Sequence, residues 1–363
     1  MRNRKKLHER ITIAIRSVFF LTFATLAIYG VFPEDSKINY IPKTLNSPVF
    51  SHTIQASNTE SLKSDDSIYV FGNAENPPST GAVSAAVLSA DTGEAVYLKN
   101  ADKILPMAST TKIMTALVAI EELSPDTVFT VPAEVCGTEG SSIYLTPGEK
   151  ITIRDLLYGL LLESGNDAAC AIAIACSGSV EDFVNLMNKR ASEMGLINTS
   201  FENPHGLSSE NHRTTALELS KIAYHAMKNP IFREIVGTKN YVVTDENNQP
   251  VKYFSNHNRL LSSYPGATGI KTGYTIASGR CLVTSALREG TEFIVVTLDD
   301  RTDFRDHAQM LDFAFNSYST VRLLGEGEFS GTFGGVKMQN TSPVEVLKEK
   351  NDTSPIDVLF TVQ

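Results

Sequence analysis

Ser109 and Lys112 are the first residues of the chain whose types and spacing suggest chemistry. They lie in the stretch Met107–Ala116, which follows Pro106 and leads into apolar residues, a pattern that predicts the first turn of a buried helix. Residues i and i+3 of a helix share one face, so the hydroxyl and the amine are expected side by side. A lysine whose pKa is lowered can accept the proton of a serine nucleophile. The pair is therefore an arrangement that can make a nucleophile of the serine.

Two later segments offer what such a pair requires. Ser164 and Asn166 supply a hydroxyl that can relay a proton and an amide that can bond a substrate backbone. Lys271 and Thr272 offer a cation and a hydroxyl to a free carboxylate, and Gly273 allows a substrate strand to come close to the backbone. A second cation near the first lysine would also lower the pKa of that lysine.

Each segment alone is common in proteins. Ser-x-x-Lys is usually a capped helix start, Ser-Gly-Asn a helix stop and restart, and Lys-Thr-Gly the end of a strand. Their order, their wide spacing and their hydrophobic flanks together match the motif set of penicillin-recognising serine acyl-enzymes.

From about residue 80 to about residue 318, the sequence resembles the D-alanyl-D-alanine carboxypeptidases, the low-molecular-mass penicillin-binding proteins of the peptidase S11 family. The resemblance rests on four stretches, Leu105–Ala116, Leu162–Ala168, Phe201–Leu207 and Gly269–Thr275. It implies a mixed α/β fold of the β-lactamase/transpeptidase type, with an antiparallel sheet flanked by helices and an all-helical subdomain. It also implies a serine carboxypeptidase that removes the terminal D-alanine from peptidoglycan stem peptides, needs no cofactor or metal, and is inhibited covalently by β-lactams.

The resemblance assigns a role to each motif residue. Ser109 would be the acylated nucleophile and Lys112 its general base, while Ser164 would pass the proton to the leaving D-alanine. The backbone N–H groups of Ser109 and Tyr274 would form the oxyanion hole, and Lys271 would hold the terminal carboxylate of the substrate. The predicted catalytic residues are Ser109, Lys112, Ser164 and Asn166, and the predicted substrate-binding residues are Lys271, Thr272, Gly273 and Tyr274.

Other polar residues near the motifs are interpreted more conservatively. We interpret His205 as a structural turn residue rather than a base, and His257 as a loop residue. Arg301 and Arg305 follow a predicted strand where family members can carry a carboxylate-binding arginine, but the local alignment is ambiguous and neither is assigned to the site. Glu163 replaces the apolar or basic residue expected there and is expected to tune the local charge.

Three alternative functions stay open from the sequence. A class A β-lactamase shares the three motifs but needs a carboxylate base in Glu-x-x-Leu-Asn, and the stretch Glu193–Asn198 is one residue out of that register. A stable acyl-enzyme with penicillin is therefore expected. A DD-endopeptidase of the same family is poorly separated from a carboxypeptidase, and a non-catalytic binding module would not require all four of the polar motif residues.

Hydrophobic periodicity predicts the elements that position these motifs. The predicted strands are Gly81–Ser89, Glu94–Asn100, Gly279–Arg288 and Glu292–Asp299, with further strand character in Gly266–Thr275 and after Tyr241. The predicted helices begin near Ser109, Ile153 and Asp167 and also cover Val180–Gly195, Thr215–Met227 and Asp303–Ser317. Strands at both ends of the sequence with helices between them predict a mixed sheet whose edges come from distant parts of the chain.

The composition is that of a globular protein, with 42% hydrophobic and 20% charged residues among 363. A net charge of −9, with no basic run after the first ten residues, argues against nucleic-acid binding. The four cysteines show neither metal-ligand spacing nor a disulfide framework.

The termini differ from the central part of the chain. A basic head and the apolar run Ser17–Phe32 predict an export signal or N-terminal membrane anchor in residues 1–32, with the uncleaved anchor favoured. Residues 33–78 are predicted to be a flexible spacer, 79–320 the enzyme domain, and 321–363 a short, partly disordered tail. The expected location is the extracytoplasmic face of the bacterial cytoplasmic membrane.

Overall fold

The computed structural model describes residues 68–72, 74–325, 330–333, 336–339 and 343–353. The predicted signal or anchor, residues 1–32, and residues 33–67 of the predicted spacer lie outside the described residues. Within those described ranges, no single helix has the length and apolar composition to cross a membrane. Two consecutive helices, Asn166–Ser177 and Val180–Glu193, meet both criteria only when taken together, and they are bent by 84° relative to each other.

The described strands form one large sheet and several small ones. In chain order they are β1 (Ile68–Val70), β2 (Ser84–Ser89), β3 (Ala95–Lys99), β4 (Val128–Thr130), β5 (Lys150–Thr152), β6 (Asn240–Thr244), β7 (Pro250–Ser255), β8 (Ala267–Thr275), β9 (Gly279–Arg288), β10 (Thr291–Leu298), β11 (Tyr318–Leu324), β12 (Ser330–Phe333), β13 (Val336–Gln339) and β14 (Val344–Glu349). The large sheet has six strands in the order β1-β3-β2-β10-β9-β8, and every neighbouring pair is antiparallel. As predicted, its two halves come from distant parts of the chain.

The helices occupy both faces of this sheet. They are α1 (Lys112–Glu122), α2 (Ile153–Leu161), α3 (Asn166–Ser177), α4 (Val180–Glu193), α5 (Ala216–Met227), α6 (Pro230–Gly237), α7 (Leu260–Ser263) and α8 (Asp303–Ser317), with short 3-10 helices at Ala108–Thr111 and Ala133–Val135. Helices α1 to α6 share one hydrophobic core with one face of the sheet, and α8 packs on the other face. This arrangement confirms the predicted mixed α/β class with an antiparallel sheet flanked by helices and a helical subdomain.

The central strand β2 shows why both faces of the sheet are covered. All six of its residues are buried, and successive side chains point to opposite faces. Ala85 and Val87 belong to the core around α8, whereas Ala86 and Leu88 belong to the core of the helical block. A strand with apolar residues on both faces requires a layer of helices on each side.

Polar side chains fix where several helices begin. Thr152, Ser179 and Thr215 each precede a helix and accept a hydrogen bond from the backbone N–H three residues on. Asn229 caps α6 in the same way, and Pro230 occupies the first position of that helix. Periodicity alone does not predict α6, because its eight residues carry too little of it, and the Asn-Pro pair is the signal that marks its start.

The large sheet begins within the segment assigned above to the spacer. Residues 68–70 form β1, which pairs with β3. At the other end, β11 pairs with β14, whose residues lie within the predicted tail. Tyr318 joins the two regions, because its hydroxyl donates to the backbone oxygen of Phe71 at 2.8 Å.

An ion pair between the partly exposed Arg233 and the buried Glu292 joins α6 to the sheet. Arg233 donates two hydrogen bonds to the carboxylate of Glu292, at 2.9 and 2.7 Å, and only 4% of the Glu292 side chain is exposed. We expect Arg233→Leu to lower the free energy of unfolding by about 3 kcal/mol, because it leaves a buried carboxylate without its counter-charge. Urea titration followed by circular dichroism measures the change. The matched control is Arg154→Leu, whose partner Asp126 is 83% exposed, and there a loss below about 1 kcal/mol is expected. Equal losses in the two variants would contradict the prediction.

Candidate active site

Ser109 lies in the short 3-10 helix that leads directly into α1. The preceding residue, Ala108, has a left-handed backbone with φ 48° and is buried, while Ser109 itself is half-buried. The Oγ atom of Ser109 lies 3.0 Å from Nζ of Lys112, the first residue of α1. The predicted juxtaposition of hydroxyl and amine is therefore present.

The Lys112 amine is completely buried and has three oxygen neighbours. Besides Ser109, Nζ contacts Oδ1 of Asn166 at 2.8 Å and the backbone oxygen of His205 at 2.5 Å. Burial, and next the positive charge of Lys271, hold the pKa of Lys112 well below its usual range. A neutral amine has two N–H groups and one lone pair. Since the amide and carbonyl oxygens can only accept, they take the two N–H groups and leave the lone pair for the hydroxyl proton of Ser109.

Asn166 is held by hydrogen bonds to a loop earlier in the chain, at residues 139–141. Its Nδ2 donates to the backbone oxygen of Glu139 at 2.6 Å, and its backbone N–H donates to Ser141 at 2.7 Å. Gly140 between them has φ +94°, and a Cβ there would lie 2.5 Å from Nδ2. The sequence predicted that the Asn166 amide bonds the substrate, whereas in this structure its oxygen bonds the lysine amine and its nitrogen bonds the loop.

Asp167, the next residue in the chain, forms hydrogen bonds with the residues that follow the same loop. Its buried carboxylate accepts hydrogen bonds from Oγ of Ser142 at 2.6 Å and from the backbone N–H groups of Ile143 and Leu145 at 3.0 and 3.1 Å. The sequence analysis did not assign this residue. Its place in the first turn of a helix, directly after the Ser-Gly-Asn motif, is the signal that could have found it.

The Asn-Pro-His-Gly-Leu stretch packs against the start of the nucleophile helix. The backbone oxygen of Pro204 accepts from Oγ1 of Thr115 at 2.6 Å, one residue before the carbonyl that contacts the lysine amine. Gly206 has φ +94°, and a Cβ there would lie 1.9 Å from the backbone oxygen of Ala108. Burial, followed by nearby positive charge, lowers the pKa of His205 to about 4, and its Nδ1 accepts a backbone N–H two residues on. These contacts agree with the structural turn role expected for His205.

A second histidine, His212, was not assigned from the sequence. It is linked through Thr111 to the backbone of Ala108, the residue before Ser109. His212 accepts the backbone N–H of Glu202 at Nδ1, at 3.0 Å, so the proton of its ring lies on Nε2. That N–H donates to Oγ1 of Thr111 at 2.7 Å, and the threonine hydroxyl donates to the backbone oxygen of Ala108 at 2.8 Å. This chain of hydrogen bonds stabilises the left-handed residue before Ser109.

The third motif lies on β8, alongside the start of the nucleophile helix. A Cβ on Gly273 would lie 3.0 Å from the backbone N of Ser109 and 3.1 Å from that of Thr110, so the absence of a side chain allows the strand to approach the helix this closely. Lys271 is 1% exposed and donates to the backbone oxygen of Thr272 at 2.9 Å. Burial lowers the pKa of Lys271 to about 7, although the charge of Glu163 raises it. The second lysine and the first thus share one buried region.

Ser164 and Tyr274 complete the set of predicted residues. Ser164 lies between α2 and α3 with φ 64° and is 5% exposed. Within the described part of the chain, its hydroxyl has no hydrogen-bond partner and is free to serve a ligand. Tyr274, which follows the third motif on β8, is 64% exposed.

Two residues that the sequence analysis left out of the site, His257 and Arg305, each lie next to a carboxylate. His257 lies 3.4 Å from Glu163. Arg305 is bound to Asp306 at 3.0 Å. Across the residues that the structure describes, no three His, Cys, Asp or Glu side chains are grouped so as to hold a metal ion. The functional groups that the structure brings together at this centre are the Ser109 hydroxyl, the Asn166 amide and the buried amines of Lys112 and Lys271.

Comparison with known proteins relates this geometry to a family. Residues 72–302 match the peptidase S11 family, D-alanyl-D-alanine carboxypeptidase. The chain is 36% identical over 287 residues to D-alanyl-D-alanine carboxypeptidase DacF of Bacillus subtilis (strain 168), a match that covers 75% of this chain and 73% of that protein. It is 39% identical over 237 residues to the D-alanyl-D-alanine carboxypeptidase of Streptomyces sp. (strain K15), covering 61% of this chain and 81% of that protein.

The same relationship holds in three dimensions. The crystal structure of the Streptomyces K15 DD-transpeptidase superposes with a TM-score of 0.63 at 34% sequence identity, covering 66% of this chain and 99% of that chain. This likeness confirms the predicted transpeptidase-type fold, and the matched range 72–302 contains all three motifs. The chain belongs to the peptidase S11 family of D-alanyl-D-alanine carboxypeptidases.

Proposed function

We propose that the chain is a serine-type D-Ala-D-Ala carboxypeptidase that acts on peptidoglycan stem peptides with the eight residues predicted from the motifs. One observation carries the assignment of the nucleophile. The Lys112 amine is buried and its Nζ lies within hydrogen-bond distance of Oδ1 of Asn166, the backbone oxygen of His205 and Oγ of Ser109. In the neutral form of the amine, the first two oxygens take its N–H groups and leave its lone pair for the hydroxyl proton of Ser109. A base of this kind removes the proton of a serine hydroxyl as that hydroxyl attacks a carbonyl.

Acylation follows from this arrangement. Oγ of Ser109 bonds to the carbonyl carbon of the penultimate D-alanine, and its proton passes to Nζ of Lys112. The negative oxygen is stabilised by the backbone N–H groups of Ser109 and Tyr274. The proton then moves through the free hydroxyl of Ser164 to the nitrogen of the leaving D-alanine as the peptide bond breaks. Water cleaves the ester in the second half of the cycle and restores the serine.

The position of β8 supports recognition of an extended peptide. This strand is the last of the six in the sheet order, so its outer edge is free of other strands of that sheet. A substrate can add there as a further strand, and the small Gly273 permits its close approach. In this proposal the Lys271 amine and the Thr272 hydroxyl bind the terminal carboxylate of the substrate.

The position of Glu193 argues against a class A-type β-lactamase. This glutamate is in the last turn of α4, where its carboxylate lies 4.0 Å from Lys189 and 3.7 Å from Arg190. A side chain engaged by neighbours on its own helix does not provide the deacylating base of that class. Penicillin should therefore acylate the enzyme and remain bound.

Residues 1–32 are proposed to hold the enzyme on the extracytoplasmic face of the cytoplasmic membrane. The basic head followed by an apolar run in the sequence supports this location. The substrate supports it as well, because stem peptides are cross-linked outside that membrane.

The first test concerns the nucleophile. We expect Ser109→Ala to abolish release of D-alanine from a diacyl-D-Ala-D-Ala peptide and to prevent covalent labelling by fluorescent penicillin, because no other atom of the site replaces Oγ. The exposed Ser262 provides a matched control, and Ser262→Ala should behave as wild type. Labelling of the Ser109 variant would show that the nucleophile is assigned wrongly. Intact-mass spectrometry of the wild type over time separates a persistent penicillin adduct from rapid turnover, and rapid turnover would favour a lactamase.

The second test concerns Gly206, which contacts the backbone of Ala108 directly before Ser109. Gly206→Ala should slow acylation by penicillin about 100-fold, because the added methyl displaces the backbone before Ser109 and small displacements of reacting groups carry losses of that size. Gly178 ends α3 with a similar φ of +79° but has open space around it. Gly178→Ala should therefore cost about 1 kcal/mol of stability without slowing acylation. If the two variants acylate at the same rate, Gly206 does not position the nucleophile.

The third test concerns location. Produced in a bacterium, the full-length chain should sediment with the membrane, retain its N-terminus by mass spectrometry, and be digested by protease added to spheroplasts. A chain without residues 1–32 should remain in the cytosolic fraction. Recovery of a shortened, soluble exported form would instead identify residues 1–32 as a cleaved signal, and retention of the full chain in the cytosol would refute export.

A further inference from the structure

The peptide group that joins Ala108 to Ser109 is held by a hydrogen bond at its carbonyl end. The Ala108 oxygen accepts the hydroxyl of Thr111 at 2.8 Å. A peptide group is planar and trans, so its carbonyl and its N–H point in opposite directions and turn together. The N–H of this group is that of Ser109, and within the described part of the chain it donates to no protein acceptor. A contact that fixes the Ala108 carbonyl therefore also fixes the direction in which the free Ser109 N–H points.

Two glycines bring further segments of backbone against the same peptide group. A Cβ on Gly206 would lie 1.9 Å from the oxygen of Ala108 and 2.9 Å from the nitrogen of Ser109. A Cβ on Gly273 would lie 3.0 Å from that nitrogen. Close packing limits how far the group can move, whereas a hydrogen bond adds a preferred direction. The Thr111 hydroxyl thus supplies the directional contact on this carbonyl.

The Thr111 hydroxyl is itself oriented by His212. Both residues are buried, with 1% and 3% of their surface exposed. Nδ1 of His212 accepts the backbone N–H of Glu202 at 3.0 Å, which places the ring proton on Nε2. Nε2 then donates to Oγ1 of Thr111 at 2.7 Å. Since a protonated Nε2 cannot accept, the threonine uses its own proton for the Ala108 oxygen, and the histidine sets the direction of the whole chain of hydrogen bonds.

His212 also closes the loop that carries an acceptor of Lys112. The hydrogen bond between Glu202 and His212 joins the two ends of residues 202–212, which contain the His205 carbonyl. The ring of Phe201 packs edge-on against the imidazole, with 5.8 Å between the ring centroids. One imidazole therefore connects this loop to the helix that carries the nucleophile.

We propose that His212 is a positioning residue for the oxyanion hole: through the Thr111 hydroxyl, it orients the peptide group before Ser109 so that the Ser109 N–H points at the developing negative oxygen. The inference rests on the oxyanion role proposed above for this N–H, and it assigns what holds the N–H in place. His212 itself touches no substrate and exchanges no proton in this role. A misdirected N–H weakens stabilisation of the transition state but not binding of the substrate, because the negative charge develops only as the new bond forms.

Two pairs of variants separate hydrogen bonding from side-chain shape. His212→Phe removes both ring nitrogens, whereas His212→Gln keeps a side-chain N–H for the threonine. Thr111→Val removes the hydroxyl from a side chain of the same shape, whereas Thr111→Ser keeps the hydroxyl. The matched control is Thr284→Val, because Thr284 on β9 is also a buried threonine bonded at 2.7 Å to a buried histidine, His307 of α8. Thermal unfolding establishes that each variant is folded.

The first measurement is the rate of acylation by penicillin, followed over a range of penicillin concentrations to separate binding from the chemical step. His212→Phe and Thr111→Val should each slow the chemical step roughly 10- to 100-fold and leave the binding constant unchanged. His212→Gln and Thr111→Ser should recover most of the rate, and Thr284→Val should match the wild type. The double variant of His212→Phe and Thr111→Val should be no slower than the slower single variant, because both act through one chain. An unchanged chemical step, or losses that multiply in the double variant, would overturn the inference.

The second measurement reports the hydrogen bonding of the oxyanion hole itself. Penicillin labelled with 13C at its β-lactam carbonyl places that label in the ester carbonyl of the acyl-enzyme, and infrared difference spectra give its stretching frequency. The frequency falls as hydrogen bonds to the ester oxygen strengthen. We expect a higher frequency in His212→Phe and in Thr111→Val than in the wild type and Thr284→Val. Equal frequencies in all four proteins would show that His212 does not orient the N–H.

The chain of hydrogen bonds is tested without any reaction. Long-range proton–nitrogen NMR spectra of the full-length protein, purified in detergent and labelled with 15N at histidine, give the tautomer of His212, whose signals are assigned by their loss in His212→Gln. We expect the proton on Nε2, and a proton on Nδ1 would overturn the inference. Absence of penicillin acylation by the wild type would refute the proposed function and not the chain of hydrogen bonds, which this spectrum tests by itself.

Discussion

The central constraint on this structure is the burial of the Lys112 amine beside the hydroxyl of Ser109. A buried ammonium is costly, and a buried neutral amine still requires partners for its N–H groups. The fold meets the second requirement with two oxygens that cannot donate, the amide oxygen of Asn166 and the backbone oxygen of His205. Because those oxygens take both N–H groups, the geometry leaves one direction for the lone pair, and Ser109 lies there. Hydrogen bonding therefore orients the base as well as stabilising it.

Much of the remaining structure serves to hold those two oxygens. Asn166 is fixed by a loop that is itself tied to the buried carboxylate of Asp167, and the His205 carbonyl is fixed by the close contact of Gly206 with the backbone of Ala108. The acceptors come from positions 54 and 93 residues away from the lysine in sequence. Such a site cannot form until the helical block has closed against the sheet, so the burial that holds the block together also assembles the base.

The sequence predicts those parts of the site that side-chain type and spacing encode. The i, i+3 spacing of Ser109 and Lys112 gives their contact, and Gly279–Arg288 and Asp303–Ser317 are found as predicted because strong periodicity specifies them. The His205 carbonyl could not be predicted as a partner of Lys112, since every residue has a carbonyl and nothing in the side chain marks the one that is used. The protein partners of Asn166 could not be predicted for a related reason: an amide bonds substrate or protein equally well, and only three-dimensional proximity shows that Lys112 and Glu139 are within reach. Residues 68–70 have too little periodicity to be told from a spacer, although they extend the sheet.

Lys112 and Lys271 are both buried, yet they are proposed to have different functions. Two buried amines in one region oppose each other's charge, and the charge of Lys271 lowers the pKa of Lys112 after the larger effect of burial. What separates them is the disposition of the nearest carboxylates. Asp167, on the side of Lys112, already accepts a hydroxyl and several backbone N–H groups, and its charge is the weakest of the influences on that amine. Glu163, on the side of Lys271, is the charge that opposes the effect of burial there. Hydrogen bonding separates them too: Lys112 has three oxygen neighbours, one of them the Ser109 hydroxyl, which suits the proposed base, whereas Lys271 has one backbone acceptor and is left with N–H groups for the proposed substrate carboxylate.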